Sequence, residues 1–308
     1  MTPAQRRNRI AKFRKKGKRT GILRFLVPLL VAIAVLVFVV FNTKYFSGKN
    51  KLGIAINSPD GGIIVSVLDP ENNEITNISI PASTQLDVAR GLGRWKSKSI
   101  WALGVNEKIG GVLLQETVIK NFHFPVSAWA DAPAYGFVSG DFLANLKAVF
   151  FPYKTNLRIG DRVRVGLFTL AVKNANRLDI DLSKTGFLKK AKLTDGESGY
   201  IVAGKIPDDL LVVFSQLGTS GKEAKVNIKD ATDTALTAQE LGETIQVLGG
   251  KIVAVSKVES EALDCTLKGD KLWVHTLAQV FSCKIEKTPP EGKFDLEIKI
   301  GRGFADRF

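Results

Sequence analysis

The distribution of apolar and polar positions divides the chain into two regimes. No residue from Phe25 to Thr43 is charged, and Phe25–Phe41 reads Phe-Leu-Val-Pro-Leu-Leu-Val-Ala-Ile-Ala-Val-Leu-Val-Phe-Val-Val-Phe. A bilayer core about 30 Å thick needs roughly 20 helical residues, with about 17 the lower limit. Arg24 and Lys44 can lengthen the span by snorkelling, and Pro28 falls in the first turn, where proline costs a helix little. Residues 25–43 therefore read as a transmembrane helix. Beyond them the apolar runs are short and separated by turn clusters. Gly62–Leu68 and Ile75–Ile80 flank Asp69-Pro-Glu-Asn-Asn-Glu74 and read as a β-hairpin. Glu107–Phe122 and Phe142–Phe151 carry helical spacing, Val163–Val172 is strand-like, and Leu210–Phe214 reads as a buried strand.

The last third has its own pattern. Ala224–Ile228 predicts a strand, and Asp230–Asp233 a turn able to cap a helix. Ala235–Leu248 predicts a helix stopped by Gly249-Gly250, and Ile252–Val255 a parallel strand. Together these form one βαβ unit. A further helix is expected over Leu272–Ser282 and a strand over Phe294–Ile300. The fold class is thus mixed α/β (α+β): a single N-terminal transmembrane helix, an α/β domain and a small C-terminal domain containing βαβ. The expected divisions are a basic tail at 1–24, the membrane helix at 25–43, a polar stalk at 44–52, an α/β domain at 53–215, a linker at 216–223 and the C-terminal domain at 224–308.

Charge adds sidedness. The net charge is +14, and ten Lys and Arg lie within residues 1–24 while no Asp or Glu occurs before Asp60. The basicity is therefore a local tail beside an apolar span. The positive-inside rule places residues 1–24 in the cytoplasm and residues 44–308 outside it. A cleaved signal peptide is the competing reading, but the apolar run exceeds an ordinary signal core and no Ala-x-Ala site follows Phe41. Cations beside a span hold anionic lipid head groups, so membrane lipid rather than nucleic acid is the expected partner of the tail.

At this point specific motifs carry a family likeness. Ile63-Ile-Val-Ser-Val-Leu-Asp-Pro and Ile75-Thr-Asn-Ile-Ser-Ile-Pro81 resemble the LytR-CpsA-Psr domain. Ala224-Lys-Val-Asn-Ile-Lys-Asp-Ala-Thr, Gly249-Gly250-Lys-Ile-Val-Ala-Val and the ending from Asp295 to Phe308 are similar to the LytR C-terminal domain, an envelope accessory module. The first resemblance implies transfer of glycopolymers from a polyprenyl-pyrophosphate carrier to the cell wall, with a divalent cation, magnesium being the candidate. In the family the motif proline is followed by Arg-Asp-Thr. Here Ala82, Ser83 and Thr84 follow it, so the arginine and the aspartate are both missing. This departure favours a protein that binds or organises lipid-linked or wall glycopolymers without chemistry. The alternative is a divergent phosphotransferase that has relocated its cations.

The candidate anion or pyrophosphate site is the loop Arg90-Gly-Leu-Gly-Arg94-Trp95-Lys96-Ser-Lys98, whose cations are Arg90, Arg94, Lys96 and Lys98 and whose glycines allow close backbone approach. Trp95 and Trp101 are candidates to cover a sugar or prenyl chain. A solvated basic loop facing an anionic bilayer is the competing reading. Asp131 falls near an acidic position of the family and is the candidate metal ligand, a surface loop aspartate being the alternative. Cys265 and Cys283, the only cysteines, are read as a disulfide in an oxidising compartment, or as two buried thiols. The two histidines, His123 and His275, form no ligand cluster in sequence. No nucleophile-elbow, phosphate-loop or zinc-protease motif is present.

Overall fold

The computed structural model describes residues 26–31, 34, 42–216, 223–234 and 236–308. The basic tail at 1–24, most of the apolar span at 25–43 and most of the linker at 216–223 lie outside these residues. Residues 26–31 are helical and exposed. Among the described residues no helix is long and apolar enough to cross a membrane.

Strand β1 (Leu52–Asn57) is followed by β2 (Ile63–Asp69) and β3 (Glu74–Ile80), paired antiparallel in series. The expected hairpin is β2–β3, with Asp69 opposite Glu74. Asp69 closes it by accepting from the amides of Glu71 and Asn72. Short strands β4 (Thr84–Asp87) and β5 (Arg94–Lys96) come next, then α1 (Ser97–Asn106) and α2 (Gly111–Phe122). The expectation of one helix over 107–122 holds only from Gly111. Lys108 and Gly110 take positive φ, which interrupts a helix and separates the two segments.

After β6 (Ala128–Ala130) come α3 (Phe142–Phe150) and α4 (Ile159–Ala171). The strand expected over 163–172 is thus a helix. Its buried positions, Gly160, Asp161, Arg162, Val165, Gly166 and Thr169, recur at spacings of one, three and four, which is a helical face. The Asp161 side chain also accepts from the Arg158 amide at 3.0 Å and fixes the helix start. Strands β7 (Arg177–Asp181), β8 (Leu188–Lys192) and β9 (Ser198–Val202) precede α5 (Asp208–Phe214). The last replaces the strand expected over 210–214. Pro207 precedes it, Asp208 and Asp209 occupy its first turn, and only Leu210 and Phe214, four apart, are fully buried.

The expected βαβ unit is present as β10 (Lys225–Ala231), α6 (Thr237–Val247) and β11 (Lys251–Lys257), with β10 and β11 parallel. Gly249 at φ 89° supplies the left-handed turn that ends α6. The chain closes with β12 (Cys265–Gly269), α7 (Lys271–Phe281), β13 (Lys284–Ile285), β14 (Leu296–Gly301) and α8 (Arg302–Ala305).

Among the described residues three sheets result, ordered β6-β1-β2-β3-β7, β5-β4-β9-β8 and β11-β10-β14-β12-β13. Every residue of β2 is buried, so the first sheet is covered on both faces. Alternate residues serve each face. Ile63, Val65 and Val67 face the core containing Leu113, Val118 and Phe122 of α2, while Ile64 and Leu68 face Ala148 and Val149 of α3 and Val165 of α4. The α2-side core continues without a break into the third sheet through Phe281, Ile298 and Phe304.

Candidate functional site: the Pro81 cleft and the Arg90 loop

Pro81 ends β3 because a residue without an N–H cannot extend the ladder. The chain then turns, with the Thr84 amide donating to the Pro81 carbonyl at 3.0 Å, and enters the second sheet as β4. Ser97 Oγ donates to the same carbonyl at 2.6 Å. The Lys98 amide donates to Ala82 O, and the Tyr200 amide of β9 to Ser83 O. The stretch Ala82–Thr84 that follows Pro81 is therefore held by its backbone.

Beside it is a cleft of about 270 Å³ whose polar lining comprises Ser58, Asp60, Ser79, Asp181, Ser183 and Tyr200. Gly62 floors it tightly, since a Cβ there would sit 2.6 Å from Ile80 O. Asp60 accepts from the Gly62 amide at 2.9 Å. Asp181 is held below the usual carboxylate range, first by the Ser183 hydroxyl and then, against some desolvation, by the Ser183 amide and Lys184. The cleft thus presents carboxylates and hydroxyls, and no Lys or Arg lines it. Such a lining accepts hydrogen bonds from hydroxyl groups and repels a bare pyrophosphate.

The Arg90 loop is built by three departures into the left-handed region, Arg90 at φ 64°, Gly91 at 66° and, after Leu92, Gly93 at 80°. The Val88 amide closes it onto Gly93 O at 2.8 Å. The structure does not gather its four cations on one target. The Arg90 guanidinium makes a two-pronged pair with Glu116 of α2, Nε to Oε2 at 2.6 Å and Nη2 to Oε1 at 2.9 Å. Lys96 is held by Asp195 at 2.6 Å and by Glu197. Arg94 and Lys98 are exposed. Trp95 is exposed and donates to Leu92 O. Trp101 instead packs edge-on against Trp129 at 5.9 Å, over Gly111, where a Cβ would strike both rings.

Asp131 lies elsewhere, after β6. One oxygen, Oδ1, accepts from Asn57 Nδ2 at 3.0 Å and from the Ala132 amide at 2.7 Å, which caps a short 3₁₀ segment. No group of three or more His, Cys, Asp or Glu among the described residues is arranged to hold a metal. Asp131 is thus engaged through Oδ1 as the cap of this segment and as the partner of Asn57. Cys265 and Cys283 are joined in a disulfide that ties β12 to the segment after α7.

The residue that sequence reasoning missed is Glu116. Its carboxylate is 3% exposed and receives Arg307 Nη1 at 3.1 Å in addition to Arg90. Arg307 also donates to Asp264 at 2.9 Å and to Phe281 O at 2.8 Å, while its own carbonyl accepts from the Arg90 amide. Its guanidinium lies over Phe304 and Phe308, 5.4 and 5.2 Å from the ring centres. The signal was an acid on the apolar face of a helix, beside Leu113 and Thr117, where a lone carboxylate is costly and a cation partner is expected.

No protein-family model matches the chain, and no curated protein matches it. Solved structures do. The chain is similar to Bacillus subtilis TagT, at 13% identity and TM-score 0.38, over 52% of this chain and 87% of that one. It is similar to YwtF (TagT) with bound octaprenyl pyrophosphate lipid, at 14% identity and TM-score 0.38, over 52% and 86%. For Lin1025 of Listeria innocua the values are 13% and 0.37, over 50% and 92%. YwtF is a LytR-CPS2A-psr family protein. The likeness is one of fold, over about half of the chain.

Proposed function

We propose that this chain is a membrane-anchored, extracytoplasmic cell-envelope protein that holds lipid-linked or wall glycopolymer without transferring it. Phe25–Phe41 is the anchor, residues 1–24 are cytoplasmic, and residues 224–308 form an envelope accessory domain. The observation that carries the non-catalytic reading is the Arg90–Glu116–Arg307 cluster. Electrostatic stabilisation of a pyrophosphate leaving group is the main task of such a transferase. At Ala82 and Ser83 the motif side chains for that task are absent, and Arg90 is committed to a buried carboxylate. A pyrophosphate at Arg90 would leave Glu116 buried with one partner fewer, a loss of several kcal/mol.

The Pro81 cleft supports the binding half of the reading. Its carboxylates, serine hydroxyls and tyrosine suit sugar hydroxyls, and its volume suits one sugar ring. The test is retention of a labelled polyprenyl-pyrophosphate glycan by full-length protein in detergent, beside the Asp60→Asn/Asp181→Asn variant. Retention that falls about tenfold or more in the variant supports the cleft as the glycan site. Equal retention by both removes the cleft from the account. A second reading, a divergent phosphotransferase, draws on Arg94 and Lys98, the two cations of the loop that stay exposed, Lys98 bonding through its amide to Ala82 O.

A further inference from the structure

Helices α3 and α4 pack on the first sheet with one face and leave the other bare. On α4, Ile159, Val163, Leu167 and Leu170 follow one another at spacings of four, four and three, so they form one stripe. Ile159, Leu167 and Leu170 are 44, 61 and 39% exposed. On α3, Leu143 and Phe150 are both 65% exposed, with Phe142 and Phe151 alongside. The inner faces meet where Gly166 of α4 lies against Val149 and Asn145 of α3, which sends these apolar side chains outward. Isolated exposed leucines are ordinary, whereas a set concentrated on two adjacent helices marks an interaction surface.

The exposed charges of the same stretch have one sign, Arg162 being buried with its guanidinium on the Ala148 carbonyl. Between residues 142 and 178 the cations are Lys147, Lys154, Arg158, Arg162, Arg164, Lys173 and Arg177, and the sole carboxylate is Asp161. Asp161 is fully buried. Asp141 and Asp179 bracket the stretch, Asp141 as the cap of α3 and Asp179 accepting from Asn77 Nδ2. Aromatic and aliphatic side chains rimmed by Lys and Arg, with no exposed acid between, are complementary to an anionic lipid surface.

The position of this surface follows from where the apolar span ends. The amides of Lys44, Tyr45 and Phe46 all donate to Asp161 Oδ1, at 2.9, 2.9 and 3.0 Å. Arg158 donates to Asn42 Oδ1 at 3.0 Å, and Phe46 packs on Phe168 at 5.5 Å. The chain emerging from Phe41 is therefore fastened to the first turn of α4. Asn42, which receives Arg158, directly follows Phe41, a step of about 4 Å between Cα atoms, so α4 begins close to the bilayer surface if the span lies in the bilayer.

We propose that the α3–α4 face docks flat on the outer surface of the membrane that holds the anchor, with Leu143, Phe150, Ile159, Leu167 and Leu170 entering the head-group boundary. This rests on the anchor reading above. The docked face fixes the orientation of the body, so that the Pro81 cleft keeps a constant height over the lipid from which a carrier-linked glycan projects.

The test uses full-length protein reconstituted into vesicles of equal parts phosphatidylglycerol and phosphatidylcholine. An environment-sensitive fluorophore is attached at Leu167→Cys, at Leu143→Cys, or at Val253→Cys, an exposed apolar control on β11. Nitroxide-labelled lipid should quench the probes at 167 and 143 about threefold more than the probe at 253, consistent with shallow burial of an apolar helical face. Lys147→Glu/Lys154→Glu should reduce that difference. Equal quenching at all three positions in protein that floats with the vesicles overturns docking and leaves the anchor standing, as does self-quenching between copies without lipid quenching. Protein that fails to float overturns both. Each labelled variant is used only when its melting temperature matches wild type, and two independent probe positions guard against loss of one.

Discussion

The two faces of the first sheet are covered by comparably apolar helices that meet different fates. Helix α2 is enclosed: Leu113, Leu114, Val118 and Phe122 enter a core that runs into the third sheet, Gln115 donates across to Val280 O at 3.1 Å, and Glu116 is neutralised by Arg90 and Arg307. Helices α3 and α4 bury only their inner faces, and nothing in the described chain covers their outer apolar stripe. On the α2 side the charges are paired inside the protein. On the α3–α4 side the charges left exposed between residues 142 and 178 are all positive. The comparison indicates that the first side is finished by the chain's own C-terminal third, whereas the second is left open by the described residues.

That contrast can be broken in order of expected size. Glu116→Ala strands two guanidinium groups at the covered side and is expected to destabilise by about 4 kcal/mol, read as a shift of the denaturant midpoint. A loss below about 1 kcal/mol would mean that the cluster does not join the two halves. Reduction of Cys265–Cys283, or Cys265→Ser/Cys283→Ser, is expected to cost about 3 kcal/mol in the same measurement, from loop closure over a sequence separation of 18. By contrast, Phe150→Ser and Leu167→Ser should change stability in detergent by no more than about 0.5 kcal/mol. The buried counterpart Leu113→Ala should cost about 3 kcal/mol.

The smallest effect concerns His123, which ends α2 and pairs through Nε2 with Glu243 of α6 at 2.8 Å. Desolvation holds the imidazole below its ordinary value, with Glu243 pulling the other way. A neutral ring that donates from Nε2–H satisfies this contact, and the buried Nδ1 has no partner to receive a proton. Because the folded-state value is depressed, the stabilisation is complete above about pH 6.5 and declines as pH falls below it, where the unfolded chain takes up the proton first. Nearby Glu240 is raised, first by burial, and so opposes this trend as pH falls. The informative readout is therefore the difference between wild type and His123→Gln. It should be flat above neutrality and should shrink as acid is added.

What could be read in the sequence was local. The β-branched runs around Asp69–Glu74 and the Gly-Gly stop after α6 placed the hairpin and the βαβ unit, since period and turn chemistry suffice for both. The cysteine pair was legible from its even number and the expected oxidising compartment. Helices α4 and α5 were not, because Val163–Val172 and Leu210–Phe214 are β-branched and apolar while their helical starts depend on Asp161 and Pro207 acting at a cap. The second sheet was missed because its strands are three to five residues long and largely polar. The basic loop was legible as a loop, but Arg90 meets Glu116 at a distance of 26 residues and Glu116 meets Arg307 at 191. Periodicity carries no trace of contacts at such separation.

The central claim is that this chain holds a carrier-linked glycan and has lost the chemistry. The most direct measurement supplies full-length protein in detergent with magnesium, a labelled polyprenyl-pyrophosphate glycan and wall fragments, beside an Arg94→Ala/Lys98→Ala variant. The account predicts that label stays with the protein and none moves to the wall. Label that moves with wild type and stops moving with the variant would contradict it and make the protein a transferase with relocated cations.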